Sequence, residues 1–545
     1  MTRRMLNIKI VVALAMMGFT GGVFASDLPA PDAYGKIVLD TANGEYVATS
    51  DVVCTQVVFS ANNISVDLSA GGGKTISIPS TVTSDGFAFG AESLSATVLG
   101  GVWDFGGHTT NIIGRNYASV SLAFNGTKVR NVEDIQIGDN GKNRCKLILT
   151  NEAELAATNM RITGGNVHHC SFEILGGSTA VIANNMFFEE GGAESGTGSN
   201  LLRVDGRGSN LSAENASITL GARRSNDQMI VSNKGSVSLR GLAVGGAAGT
   251  TGSMLMVDEA ALTLSGDLII GNRGSSANKV EITGASSRFQ RANPSGLDPY
   301  FGTGGFNEFH VMGGAVITNE FTKDTYIGYQ SSNNVVRISN GGAVWQTGDK
   351  SLYLGYNYND GLGCYNTFSV DAGGTNNVNR FIVCGHDNRL VVSNGTFSTR
   401  RTGAGSLWIG NPNAGSGTPQ NNGVVLRGSL PRLQIPGGLT LQNSSYIRFE
   451  LTEDGYASGV APVSVKDISV DAASSIEVNP DAYVAHIGDV GAKVKLITVT
   501  GTMDIPDGVI AATNAKMPYR CSIAVEGHDL VLKIRGDKGL ILSFR

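Results

Sequence analysis

The sequence predicts an all-β chain wound as a single-stranded right-handed parallel β-helix, a β-solenoid with terminal caps. Each coil is expected to hold about three short strands in 24–30 residues. Two repeated patterns and the composition predict this. The first pattern is a strand ending of the form apolar, any, apolar, Gly. It closes at Gly138, Gly221, Gly245, Gly271, Gly328, Gly355 and Gly410, with steps of 24, 26 and 27 residues between close copies. The larger gaps of 83, 57 and 55 residues fit three, two and two units. The second pattern is an asparagine that opens an alternating strand, at Asn278, Asn307, Asn334, Asn366 and Asn388. A small-residue corner follows each: Gly284, Gly313-Gly314, Gly341-Gly342, Gly373-Gly374 and Asn394-Gly395.

The composition agrees. The chain of 545 residues carries 74 Gly and 13 Pro, and 16% of it is charged, below the usual quarter. Alternation of period 2 excludes helical repeats. A β-sandwich array or a propeller is the competing architecture, but propeller blades repeat at 40 or more residues. Copies of the opening Asn at one corner of successive coils would bond to each other as a ladder. Val336, Ile338, Leu352 and Leu354 are expected to stack in inward apolar columns.

Along the chain, residues 1–25 read as a secretory signal peptide. Arg3, Arg4 and Lys9 form the basic start, Ile10 to Phe19 the apolar stretch, and Val23-Phe24-Ala25 the cleavage site before Ser26. This places the mature chain outside the cell or on a bacterial surface. Residues 26–110 are read as an N-terminal cap and first coils, and 111–450 as the repeat domain of about twelve coils. Residues 451–545 are read as a C-terminal β cap or small β domain, with longer strands at Lys493–Val499, Asp529–Ile534 and Leu540–Phe544. Stretches 189–199, 289–306 and 411–422 exceed the coil template and are read as projecting loops.

Several function classes drop out. Without the signal, 38 basic residues face 46 acidic ones and no basic block exists, so no nucleic-acid partner is expected. No later apolar run is long enough for a transmembrane helix. The six cysteines form no Cys-x-x-Cys and show no zinc spacing with His, so no metal site or cofactor is expected. Cys145 and Cys170 are one repeat apart. Stacked strands sit about 4.8 Å apart, within the Cα separation a disulfide spans. Cys364 and Cys384, 20 residues apart, form a second candidate pair. Four buried thiols are the alternative.

The sharpest local feature is aromatic. Six of the 14 Tyr fall within residues 326–365. The outward slot of the closing strand holds Tyr326, Tyr353 and Trp408, while Tyr329 and Tyr356 follow the glycine. Each tyrosine pair is 27 residues apart, one coil. An outward aromatic stripe is a platform for the apolar faces of sugar rings. It can equally be a ladder that stabilises the sheet face.

The coils, the GVWDFGGHTTN segment at 101–111 and the tail KVKLITVTGTM resemble secreted bacterial β-helix surface proteins. They are similar to autotransporter passenger domains of the pectin-lyase-like fold group. The resemblance implies a structural or adhesive surface protein, with an extracellular polysaccharide or cell-envelope component as partner and no catalysis. Autotransporters end in a membrane β-barrel, for which the sequence before Arg545 leaves no room, so export through its own barrel is not expected. A subunit of a trimeric fibre is a third option. The alternative function, polysaccharide lyase or glycoside hydrolase, is common on such scaffolds. Hydrolysis needs two carboxylates across one bond, and no Asp pair repeats in neighbouring coils. Cys384-Gly385-His386-Asp387 is similar to the Gly-His-Gly of polygalacturonases but lacks their Asp partners. Arg400-Arg401 and His310 suit a lyase base by residue type alone. His168-His169 is expected in an alternating strand, one side chain in and one out. No catalytic residue is assigned.

Overall fold

Backbone pairing along the chain is almost entirely parallel, each strand bonding to its copy one coil on. The computed structural model describes residues 25–536 apart from 83–84, 109–110, 140, 163–167, 189–197, 292–299, 302–303, 321–323, 357–362, 413–417, 454–455, 457–459, 481, 484–492 and 513–518. It is a right-handed parallel β-solenoid of about 14 turns, with 55% of residues in strands and 2% in helix. The signal segment 1–24, the proposed strand 540–544 and most of the three long loops lie outside the described residues.

Three walls enclose the core. Among the described residues the first wall has nineteen strands, from Ser26–Asp27 to Ile510–Ala512. Its inward column runs Phe309, Val336, Phe368, Leu390, Val424, Ile447 and Ile476 in strict register. Val336, Ile338, Leu352 and Leu354 are all buried, as the alternation predicts. Phe368, Phe381 and Phe397 pack ring to ring at 5.0–5.8 Å within the core. Near the N-terminal end, the buried Trp103 stacks on Phe105 at 5.7 Å and meets Phe124 edge-on.

The second and third walls depart from three separate strands in the early coils. Lys128–Ile137, Glu154–Ile162, Thr179–Phe187, Asn210–Leu220 and Ser236–Val244 are single long strands that serve both walls. Register shifts such as the one between Ala213 and Ser217 bend them at the corner, the work of a β-bulge. From Ala261–Leu264 and Leu268–Ile270 to Thr396–Thr399 and Leu407–Ile409 the two strands are separate, and they merge again in Arg432–Leu441 and Val463–Val470.

The asparagine ladder is present. Asn278 Nδ2 donates to Asn307 Oδ1 at 2.9 Å, and Asn307 to Asn334, Asn334 to Asn366 and Asn366 to Asn388 at 2.9–3.1 Å. Each acceptor oxygen also takes the backbone N–H of the preceding ladder residue, and Asn388 N–H donates to Asn422 in the same way. Upstream, the fully buried Asp227 stands in the same column and accepts two bonds from Asn200.

The closing glycines and the ladder form one device. Gly328 and Gly355 have φ of 74° and 79°, and a Cβ on either would overlap the ladder amide of Asn366 or Asn388. The corner before each ladder residue is also left-handed; Asn226, Asn333 and Asn421 fill it in some coils, and Arg144, His169, Ala277, Phe306, Tyr365 and Asp387 in others, with φ between 53° and 66°. The small-residue corners at Gly284, Gly313-Gly314, Gly341, Gly373 and Asn394 are left-handed too, so Gly and Asn hold those corners and the closing position, while the pre-ladder corner accepts many residue types. The ladder bonds on both sides fix the corner backbone against the cost of a side chain there.

Parallel stacking continues past residue 450 through Tyr446–Glu450, Ser475–Asn479 and Ile510–Ala512. Tyr519–Glu526 and Asp529–Gly536 then form an antiparallel hairpin, whose second strand pairs antiparallel with Lys493–Val499. Stretch 289–306 is not simply a loop, because Arg288–Arg291 and Tyr300–Phe301 are strands of the second and third walls. No helix among the described residues is long and apolar enough to cross a membrane.

Candidate functional site

The third wall brings four of the five proposed aromatic residues together. Strands Thr325–Ile327 and Ser351–Leu354 pair in register, which sets Tyr326 opposite Tyr353. Their rings stack at 5.2 Å with 21° between planes. Tyr329 and Tyr356, just past the closing glycines, stack at 5.6 Å and 19°. The two pairs also meet each other, Tyr326 with Tyr356 at 4.4 Å and Tyr353 with Tyr356 edge-on at 5.1 Å. The result is a two-by-two tyrosine cluster on the outer side of the wall.

Neighbouring rings cover part of this face. Tyr326 is only 9% exposed, although its slot points away from the core. Tyr329, Tyr353 and Tyr356 are half-buried and give the cluster its accessible surface. Burial, then the nearby Asp324 carboxylate, push the Tyr353 hydroxyl above its ordinary range. Asp324 also accepts the backbone N–H of Ser351 at 2.8 Å.

Trp408 stands apart from the tyrosines. Register runs Tyr353, Ile382, Trp408, so an isoleucine coil separates it from Tyr353. Ile382 and Cys384 form a small buried cluster beneath Tyr353, Tyr356 and Trp408, distinct from the main core. Arg380 holds its guanidinium 5.4 Å from the centre of the Trp408 ring, a cation–π distance, while its Nε donates to Gly405 O. Trp408 Nε1 donates to Gln442 at 3.1 Å.

Three residues of this wall escape the sequence pattern. Tyr300, one coil upstream, pairs through its backbone in register with Tyr326. Its signal was Tyr300-Phe301-Gly302, with Pro299 in place of the first apolar residue. Ile382 was hidden because Cys384 occupies the place of the closing glycine, its N–H bonding Leu354 O, and the left-handed Gly385 comes one residue later. Arg380 had no signal beyond its charge.

None of the six cysteines is in a disulfide. Cys145 and Cys170 occupy the ladder column in consecutive coils, ahead of Asn200. Their thiols are hydrogen-bonded, which lowers the Cys145 pKa and raises that of Cys170. Cys364 is placed differently. Tyr365 N–H bonds His386 O, so the in-register partner of Cys364 is His386, while Cys384 stands over Gly355.

The polar candidates stay scattered. His168 and His169 lie in the turn before Ser171–Leu175, not in a strand, because His169 takes the left-handed corner at φ 59°. Burial and the neighbouring His169 hold the His168 pKa below its usual value. His310 lies on the first wall between Glu281 and Arg337, with Glu308 at 3.5 Å. Arg400 donates to Gly348 O at 2.6 Å on the exposed surface. Among the described residues no three His, Cys, Asp or Glu side chains converge as a metal site would require. A cleft of about 340 Å³ near the N-terminal end holds a bidentate pair, Arg115 on the buried Asp85 at 2.5 and 2.8 Å. Gln56 donates to Asp85 O behind it, so these groups satisfy one another.

No protein-family model matches the sequence, and no curated protein is significantly similar to it.

Proposed function

We propose that this chain is an exported, non-catalytic β-solenoid of the bacterial surface or its surroundings, which binds extracellular glycan through the aromatic face of its third wall. The observation that carries the reading is the four-tyrosine cluster. It lies outside the main core, on a rigid sheet, and leaves Tyr329, Tyr353 and Tyr356 partly open to solvent. Aromatic faces on a fixed sheet offer stacking area to the C–H faces of sugars at little entropic cost. The signal-like residues 1–25 and the autotransporter-like character of the coils support export.

Retention on insoluble glycans tests the reading, with Tyr353→Ala/Trp408→Ala as the variant. The expected outcome is weaker retention with an unchanged far-ultraviolet circular dichroism spectrum. Equal retention of variant and parent would sink it. A parallel reducing-sugar assay separates the alternative: release of new ends would make the chain a polysaccharide hydrolase or lyase instead. In an oxidising compartment, Cys145 and Cys170 are the pair placed to form a disulfide. Mapping of unreduced peptides over these two, Cys364 and Cys384 reads out which thiols pair.

A further inference from the structure

The inside of the solenoid is apolar almost throughout, and two amides break the pattern behind the tyrosine cluster. Gln346 belongs to the second-wall strand Ala343–Thr347 and Asn376 to Thr375–Val378, one coil on. Both occupy inward positions, at 2% and 0% exposure. Val344 pairs with Asn376, so Gln346 is the diagonal neighbour of Asn376, two residues along the preceding strand. The polar atoms of both side chains, Gln346 Nε2 and Oε1 and Asn376 Nδ2 and Oδ1, are buried without a hydrogen-bond partner. Both amides line a cavity of about 30 Å³, walled by Ile327, Leu352, Phe368 and Val378. Ile327 and Leu352 neighbour Tyr326 and Tyr353 in sequence, so the cavity backs the same two strands.

Buried amides are paired in native proteins, with water where no protein group serves. A dry cavity is apolar, and a polar one needs about 10–15 Å³ and two to four polar partners to hold a water molecule. This cavity meets both conditions. We infer that it is a bound-water site for one or two molecules that bridge Gln346 and Asn376. A bridging water donates to Gln346 Oε1 and Asn376 Oδ1 and accepts from the two amide nitrogens. Neither amide could be read as a site from sequence, because single polar residues at inward positions look like breaks in alternation.

A crystal structure of the full chain at near-atomic resolution tests the site. Water density within hydrogen-bond reach of both amides is expected. An empty cavity, a direct bond between the amides, or xenon occupancy under pressure would overturn it. Oxygen-17 relaxation dispersion gives a second reading in solution. The Gln346→Leu/Asn376→Leu variant should lose one or two long-lived waters relative to the parent, and an unchanged number counts against the site. If that variant does not fold, the parent crystal alone decides.

Discussion

At the residue scale, the closing glycine carries two constraints at once. Gly355 has φ 79°, and a Cβ there would meet Asn388, Gly363 O and Cys384 O. Gly141 has φ 83° but open space around it. Gly141→Ala should therefore cost only the left-handed strain, roughly 1–2 kcal/mol. Gly355→Ala should cost clearly more, because it also displaces a ladder bond worth roughly 1 kcal/mol. Thermal melts of the two variants check the order; equal losses would mean that the ladder does not press on the glycine. The ladder residue itself is as exposed to test. Asn334→Ala removes the acceptor of the Asn307 N–H and one of the two acceptors of its Nδ2, which keeps Gly304 O, a loss of roughly 1–3 kcal/mol for buried groups. Thiol reactivity follows burial: Cys54 is pushed up to about 12 by desolvation, and burial also raises Cys364 and Cys384. Alkylation of the native chain at pH 8 should mark the partly exposed Cys521 first and Cys54 only on unfolding, read by peptide mass.

At the element scale, the C-terminal hairpin is held to the last coils by charge. Lys495 lies 2.7 Å from Asp529, and Thr498 donates to the same carboxylate at 2.6 Å. The bond from Lys495, and then that from Thr498, hold the Asp529 pKa below its ordinary value. A depressed folded pKa gives stability that is present above the unfolded value, about 3.9, and is lost as pH falls through the folded one. The protection factors of amides in Asp529–Gly536, corrected for intrinsic exchange, should fall below about pH 4, and Lys495→Met should flatten that dependence. A hairpin whose exchange ignores acid would contradict the assignment. The elements also show where the sequence was readable. The five ladder asparagines, the closing glycines and the inward columns were legible because each repeats at fixed spacing. The merged strands at 128–244 were not, because a bulge keeps period 2 on both sides of the bend. Tyr300 and Ile382 were missed for a similar reason: a proline and a cysteine sit where the repeat expects an apolar residue and a glycine. The aromatic stripe was legible as a column, but its mutual shielding was not, since ring contacts between Tyr326 and Tyr356 depend on the turn beyond the glycine.

At the scale of the whole molecule, each coil touches mainly its neighbours, so stability is distributed along the axis. Coils joined by the uninterrupted amide ladder from Asn278 to Asn388 should be the slowest to open. Hydrogen exchange by mass spectrometry should show the strongest protection in first-wall strands Lys279–Thr283 to Arg389–Ser393, with the end coils exchanging earlier. The proposed glycan face lies on this middle stretch, because the tyrosine cluster belongs to the same coils. Its most direct test is a glycan array probed with the intact chain and with Tyr329→Ala/Tyr356→Ala. Two stacking rings are worth roughly 0.5–1.5 kcal/mol each, so binding to the recognised glycans should fall about fivefold or more while the melt stays close to the parent's. Equal binding by parent and variant, or no glycan bound by the parent at all, would contradict the reading of this face as a sugar platform.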